Sequence, residues 1–353
     1  MTPPLVTILI ATRGRPSELA ATLTALRKQT YPSIECLVID DASPEPLQEL
    51  VHSIWPEAVV IREEKNLGQC ACRSKGFKLA KGEFILQLDD DACFTKPGDL
   101  ATAVRIIEAH PEVGLLTFQI FNGQTLPENL VLDQVPRYGT SFIGCGALLR
   151  KSAADAVGGY REFFGNEWEE DEFSLRLIKA GWTIYIWPEI LIHHRVSPLN
   201  RRSSRTWMRG LRNKLWSMVM HFPAWRLPAD MIWALGVGLW DSIRLFRFHR
   251  YFQALFLFLL GLPRALSLRS PLTGLDMRRL DAVRFRTVRT LAEWTRPEPL
   301  SRAEIWTWFN NIWMKRPRQR SIWDRRPGDT GLSQAVKFAH EHIEQTERPR
   351  NQR

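Results

Sequence analysis

Three carboxylates stand side by side at Asp89-Asp90-Asp91, directly after the apolar run Glu83–Leu88. Adjacent like charges repel, so each carboxylate must be solvated or neutralised. A divalent cation does this: hard oxygen ligands suit Mg2+ or Mn2+, and the bound cation can bridge a diphosphate. The plainer alternative is a helix N-cap with two solvated neighbours. A second acidic run, Trp168-Glu169-Glu170-Asp171-Glu172, opens the apolar helical pattern Phe173–Leu177. It reads either as complement to a helix dipole or as the source of a general base for an acceptor hydroxyl. His193-His194 follow the apolar run Thr183–Trp187 and Pro188. Such a pair is more often structural, but near a metal a neutral imidazole can serve as a further ligand.

The elements that must position these groups are legible as alternating patterns. Strands are expected at Val6–Ala11, Glu35–Ile39, Val59–Arg62 and Glu83–Leu88, and helices at Ser17–Gln29, Pro46–Ile54 and Gln69–Leu79. Pro16 suits the first turn of the first helix. Strands that are continuously apolar and separated by helices predict a parallel sheet covered on both faces. Ligands of such sheets bind beyond the C-terminal ends of the strands. There stand Thr12-Arg13-Gly14-Arg15, Asp40-Asp41-Ala42-Ser43 and Asp89-Asp90-Asp91, three polar clusters at one sheet edge, where a nucleotide would go.

A chain of 353 residues, 44% of them apolar, can bury a substantial core in one large domain or two ordinary ones. The five cysteines include Cys70 and Cys72, but no second pair follows at zinc-finger spacing. They read as small buried thiols of a reduced cytoplasmic chain. The N-terminal MTPPLVTILIATRGRP has no basic leading region and reads as a buried strand rather than a signal peptide. Charge divides sharply. Residues 1–200 hold 19 Lys and Arg against 26 Asp and Glu, a net of −7, whereas residues 201–353 hold 29 against 12, a net of +17, with ten of the 14 Trp. Met231–Trp240 and Tyr251–Leu262 are expected as apolar helices around the basic stretch Arg244–Arg250, each short of the ~20 residues that span a bilayer. Apolar helices flanked by Arg, Trp and Phe suit interfacial attachment. Basic residues alternating with Trp, Leu and Phe favour an anionic membrane surface over nucleic acid. From about Arg316 the tail is polar with little periodicity and reads as partly disordered.

The segments VTILIATRGRP, LRKQTYPSIECLVIDDAS and KNLGQCACRSKGFKLAKGEFILQLDDDA resemble the N-terminal half of family 2 glycosyltransferases of the GT-A fold. GCGALLRKSAADAVGGYREFF and EEDEFSLRLIKAGWTIYIWPEILIHH resemble the acceptor half, so the likeness covers about residues 5–200. The resemblance implies an α/β, Rossmann-like, mostly parallel sheet flanked by helices, with a mainly helical C-terminal extension. It places the catalytic domain at 1–200, with the nucleotide-sugar half to about 95. It implies that Thr12, Arg13 and Arg15 border the nucleotide, that Asp40 and Asp41 are the acidic pair after the second strand, one of which pairs with the base, and that Asn66, Gly68 and Arg73 line the donor. Asp89 and Asp91 match the ends of its D-x-D motif. Asp91 is the foremost metal ligand, Asp89 faces ribose or metal, and Asp90 is the most replaceable. His193 matches the family's late His beside the metal. The base falls on Glu169, Glu170 or Asp171, with Glu170 preferred. There are departures: Arg13 and Gly14 stand where most members carry a Tyr or Phe and an Asn, and the E-D motif is drawn out to E-E-D-E.

The activity implied is inverting transfer by a hexosyltransferase of the bacterial, membrane-associated type. Its donor is a nucleoside-diphosphate sugar, its cofactor Mg2+ or Mn2+, and its acceptor a glycan or lipid-linked sugar of cell-surface polysaccharide synthesis. Arg212-Asn213-Lys214-Leu215-Trp216 and His221-Phe222-Pro223 loosely resemble the region following the catalytic domain in members that act on lipid-linked acceptors. Residues 201–315 are expected to associate with the membrane, peripheral on the cytoplasmic face of the inner membrane. The rival readings are a processive polysaccharide synthase, a nucleotidyltransferase and a catalytically inactive glycan- or nucleotide-binding GT-A protein. The first would carry a Q-x-x-R-W motif and membrane spans, and the second a Gly-rich, basic loop after the first strand. The third sits poorly with three retained Asp, the E-E-D-E run and His193.

Overall fold

The computed structural model describes residues 2–197, 203–301 and 303–304. The chain opens with β1 (Val6–Thr12), α1 (Pro16–Leu26), β2 (Ile34–Asp40), α2 (Gln48–Ile54), β3 (Val59–Arg62), α3 (Gln69–Leu79) and β4 (Phe84–Asp89). β1, β2 and β4 are buried along most of their length because helices cover both faces. These strands pair in parallel as β3-β2-β1-β4, with Thr12 opposite Asp40 and Ala11 opposite Asp89. That register brings the three polar clusters to one sheet edge.

The next segment adds β5 (Ala92–Phe94), α4 (Asp99–Ala109), β6 (Val113–Asn122), β7 (Arg137–Gly139), β8 (Gly146–Arg150), α5 (Lys151–Val157), α6 (Glu169–Lys179) and β9 (Thr183–His194). The full order is β3-β2-β1-β4-β8-β6-β9-β5, with β7 also on β9. Parallel pairing holds through the first four strands and again between β6 and β9. β8 runs antiparallel to β4 and β6, and β5 and β7 antiparallel to β9, so the acceptor half is a mixed sheet. β9 is longer than the run Thr183–Trp187 suggests. It passes through Pro188 because the register slips there: Phe118 pairs with Trp187 and Gln119 with Leu191, leaving Pro188-Glu189-Ile190 in a bulge.

Among the described residues five helices follow: α7 (Ser203–His221), α8 (Leu227–Arg244), α9 (Phe248–Ser267), α10 (Gly274–Phe285) and α11 (Leu291–Thr295). α8 and α9 have 18 and 20 residues, beyond the apolar stretches expected from sequence, because each continues into its flanking Arg-bearing turns. Among the described residues no helix is long and apolar enough to cross a membrane. α9 lies close along α7. A Cβ at Gly261 would come within 2.1 Å of the Trp216 ring, and the Trp216 indole N–H donates to the Phe258 carbonyl at 3.0 Å. The polar tail expected from Arg316 onward lies outside the described residues. All five cysteines are buried thiols.

Candidate active site

Asp89 ends β4, and Asp91 leads into β5, whose Ala92 pairs with His194 of β9. Successive strand side chains point to opposite faces, so only one of the two histidines can turn toward the carboxylates. It is His194. Its Nε2 lies 3.1 Å from Asp91 Oδ1 and 3.9 Å from Asp89 Oδ2. One ligand atom from each of Asp89, Asp91 and His194 can be chosen so that all lie within 4.8 Å of one another. His194 Nδ1 donates to Asn122 Oδ1 at 2.7 Å, which leaves Nε2 as the nitrogen facing the carboxylates. His193 is not brought to this cluster: its Nε2 donates to the Gly123 carbonyl at 2.8 Å and its ring lies against Phe121.

Electrostatically the cluster holds itself together. Burial alone would raise the Asp91 carboxyl, but the hydrogen bond and charge of His194, the Ser197 N–H and Arg15 hold it well below the usual carboxylate range. Burial works against a charged His194 ring, yet Cys145, Asp91 and Asp89 carry it up to about 11. The Ser197 N–H reaches Asp91 Oδ2 at 2.7 Å, and the Arg195 N–H reaches the Asp91 carbonyl at 2.9 Å.

Asp90 is no bystander. It accepts from Thr12 Oγ1 at 2.7 Å and Arg15 Nη1 at 3.0 Å, and its backbone carbonyl accepts from Thr22 Oγ1 at 2.8 Å. Burial, reinforced by Asp91 and Asp89, pushes its carboxyl up to about 6 against the pull of Arg15 and Thr12. The residue that sequence ranked as most replaceable therefore ties the β1–α1 loop to the end of β4. In that loop Arg13 reaches the Ala42 carbonyl at 3.4 Å, and Gly14, at φ 62°, donates to Ser43 Oγ.

The acidic pair after β2 divides its work. Asp40 is fully buried and accepts from the Ser43 N–H at 2.9 Å and Arg62 Nη1 at 2.7 Å. Asp41 gathers the loop before α3, accepting from Asn66 Nδ2 at 2.8 Å and from the N–H groups of Leu67 at 2.6 Å and Gly68 at 3.0 Å. Gln69, which sequence reasoning missed, donates to Asp89 Oδ1 at 3.1 Å.

Arg73 lies deepest. Its Nη2 donates to Asp89 Oδ1 at 2.5 Å and to the Gly144 carbonyl at 3.0 Å, while Nη1 stands 3.5 Å from Glu170 Oε1. Burial disfavours its charge, but Asp89, Tyr160 and Glu170 more than restore it. One buried guanidinium thus joins the β4 carboxylate to α6. The arrangement requires glycine at 144, where a Cβ would fall 2.3 Å from Glu170 Oε1 and 2.6 Å from Arg73 Nη1. No sequence signal marks Gly144, since its role depends on the closeness of three distant segments. Asn122, Arg195 and Ser197 were also missed and carry no sequence signal; His194 was read as one of the His193-His194 pair, from which the resemblance selected His193.

The acidic residues opening α6 differ in setting. Glu169 is buried, its Oε2 without a hydrogen-bond partner, and burial with the charges of Glu170 and Glu167 keeps its carboxyl well above the usual range. Glu170 remains 19% exposed at the side chain; burial raises its pKa and Arg73 opposes the rise. Asp171 is half-buried one position on, about 100° further around the helix. Glu172 is fully buried and binds Arg176 at 2.8 and 2.9 Å and His221 of α7 at 2.9 Å; burial would raise its carboxyl, but those partners hold it down to about 2. The loop before α6 is clamped from α7, where buried Asn213 donates to the carbonyls of Phe164, Asn166 and Glu167 at 3.0, 3.1 and 2.6 Å.

Residues 7–161 match the sequence model of Glycosyl transferase family 2. The uncharacterized glycosyltransferase YwdF of Bacillus subtilis is 29% identical over 186 residues, 49% of this chain and 68% of YwdF. The UDP-Glc:alpha-D-GlcNAc-diphosphoundecaprenol beta-1,3-glucosyltransferase WfaP of Escherichia coli is 31% identical over 88 residues, 25% of this chain and 35% of WfaP. The chain therefore spans about two thirds of the first relative and about a third of the second. In fold it is similar to the mannosyltransferase PcManGT from Pyrobaculum calidifontis, with a TM-score of 0.52 at 16% identity over 88% of each chain. Over residues 7–161 the chain is similar to glycosyl transferase family 2, and with the shared architecture it is a glycosyltransferase of the GT-A fold.

Proposed function

We propose that the chain transfers a sugar, with inversion, from a nucleoside-diphosphate sugar to a glycan or lipid-linked acceptor of cell-surface polysaccharide synthesis. The observation that carries this reading is the Asp89, Asp91 and His194 cluster joined through Arg73 to Glu170. Two carboxylates and an imidazole whose ligand atoms fit within 4.8 Å are a donor set suited to Mn2+ or Mg2+. PcManGT was solved with GDP-Man and Mn2+, which supports the same pairing of donor class and cation here. WfaP's diphosphoundecaprenol-linked acceptor supports a lipid-linked acceptor. When bound, the cation supplies Lewis acidity against the negative charge of the leaving diphosphate.

The chain's own groups do the rest. Asp89, Asp91 and His194 hold the cation, while Thr12, Arg13, Arg15, Asp41, Asn66 and Gly68 border the donor. Asp40 and Asp90 keep that border in place from within. The acceptor oxygen attacks the anomeric carbon, the bond from that carbon to the diphosphate breaks, and the acceptor proton passes to Glu170. A carboxylate whose pKa burial raises is a stronger base than one in water. Glu169, only 4% exposed, is the less accessible candidate. Asp171 is the alternative on the same turn. Residues 201–315, with the basic charge and most of the Trp, form a membrane-associating region and keep the enzyme peripheral on the cytoplasmic face of the inner membrane.

The test is incubation of the purified chain with Mn2+ or Mg2+ and a panel of nucleotide sugars, scoring thermal shift and slow donor hydrolysis. Asp91→Ala is expected to lower turnover by about three orders of magnitude while leaving the circular-dichroism spectrum unchanged. A variant retaining near-full activity would remove Asp91 from the cation site.

A further inference from the structure

α9 is apolar on two opposite faces, and among the described residues α7 and α8 cover only one. Tyr251, Ala254, Phe258 and Ala265 are buried on the covered side. On the other side Phe248, Phe252, Phe256, Leu259, Leu260 and Leu266 are exposed, Phe256 to 61% and Leu260 to 63%. The spacing i, i+4, i+7 or i+8 places them along one stripe of the helix. α8 packs beside α9 and exposes Ile232, Trp240 and Ile243, and the turn between the two helices ends in Phe246, 93% exposed. A two-helix unit with this much apolar surface is not finished as a soluble surface.

The charge around the stripe identifies what finishes it. The segment from Arg244 to Arg269 contains no Asp or Glu, while Arg244, Arg247, His249 and Arg250 cluster at the turn and Arg264 and Arg269 lie at the far end. A second copy of the chain, laid face to face on the α9 stripe, would bring its own cations, while α9 and the turn before it offer no carboxylate to meet them. An anionic bilayer has both things the stripe lacks: an apolar interior for the Phe and Leu side chains and phosphates for the guanidinium heads, whose stems can lie along the apolar boundary.

We propose that the α8–α9 hairpin is a membrane-docking surface that seats Phe252, Phe256 and Leu260 at the acyl boundary of an anionic bilayer and lays Arg244, Arg247 and Arg250 against its headgroups. The inference rests on the peripheral placement proposed above and names the surface that performs it. α7, which backs the docked helix, also clamps the loop leading to Glu170, so the surface and the acceptor side of the cleft are parts of one packed unit.

The experiment is cosedimentation of the full chain with vesicles of phosphatidylglycerol and phosphatidylcholine, beside vesicles of phosphatidylcholine alone. The wild-type chain is expected to pellet with the anionic vesicles, less so at high salt but not to zero, since the apolar term is unscreened. The combined variant Phe252→Ser, Phe256→Ser and Leu260→Ser is expected to lower partitioning by more than about ten-fold, three large apolar side chains having left the boundary. Cation-dependent donor hydrolysis by that variant should equal wild type, which shows that it folds. Full recovery of the wild-type chain in the low-salt supernatant overturns the proposal, as does a triple variant that still pellets like wild type, because another surface then binds the vesicles. A dimer by light scattering that the triple variant dissolves, without vesicle binding, assigns the face to a second copy and equally overturns it. Vesicle binding with no donor hydrolysis in either protein leaves the docking surface standing and removes the catalytic reading instead.

Discussion

At the scale of single residues, the cleft depends on which way each side chain turns. His194→Ala is expected to weaken Mn2+ affinity by roughly ten- to a hundred-fold, and His193→Ala to leave it unchanged; isothermal titration with Mn2+ distinguishes them. Equal losses in both would remove the strand-parity explanation. Arg73 gives a prediction with a sign. Burial raises the Glu170 carboxyl and the Arg73 cation opposes that rise, so removing the cation lets the pKa climb further. The base works only when ionised, hence the acidic limb of the kcat–pH profile of Arg73→Gln should move to higher pH. A limb that stays in place or moves lower would show that Glu170 does not set it. The three adjacent Asp and the acidic run were visible in the sequence because their chemistry is carried by residue type. Their ranking was not. Asp90 gains its role from Thr12 and Arg15, partners brought by a sheet register that residue type does not encode.

At the scale of elements, the four parallel strands and the helices between them were readable because continuous apolar runs bounded by polar clusters allow few other structures. The antiparallel entry of β8 and the short strands β5 and β7 were not, since a run of three residues carries no period. Pro188 conceals the parity of the histidines. A bulge shifts the phase of the strand behind it, so Thr183–Trp187 cannot announce which of the two neighbours faces the carboxylates. A second element-level feature is the loop before α6, where Glu167 and Trp168 both adopt left-handed backbone, at φ 73° and 70°, which non-glycine residues disfavour. Asn213 holds them there through three carbonyls. Asn213→Ala should lower kcat about ten-fold or more while donor affinity stays at the wild-type value, because the loop leads to Glu170, the proposed base, and not to the proposed nucleotide border. Adding Glu167→Gly, which adopts that conformation without strain, should restore part of the loss. A fall in donor affinity, or no rescue, would assign Asn213 to general folding.

At the scale of the whole molecule, the division between a net −7 half and a net +17 half is plain in the sequence, and the boundary proposed near residue 200 rests on it. The structure adds that α7, just past that boundary, is shared property. It offers His221 to Glu172 of α6, Asn213 to the loop before α6, and Trp216 to α9. Without α7, Glu172 would keep Arg176 but lose His221, and the loop before α6 would lose the three bonds from Asn213; at about 0.5–1.5 kcal/mol each, these four bonds sum to roughly 2–6 kcal/mol. That is a large part of the 5–15 kcal/mol typical of a domain. A chain ending at residue 200 is therefore expected to aggregate or to melt without a cooperative transition by calorimetry, whereas one ending at residue 304 should melt cooperatively. Sharp unfolding of the shorter chain would show that α7 is dispensable to it. The shared helix also bears on inheritance: the catalytic and helical parts cannot be exchanged between relatives as separate modules, and a change in one that moves α7 selects for a matching change in the other.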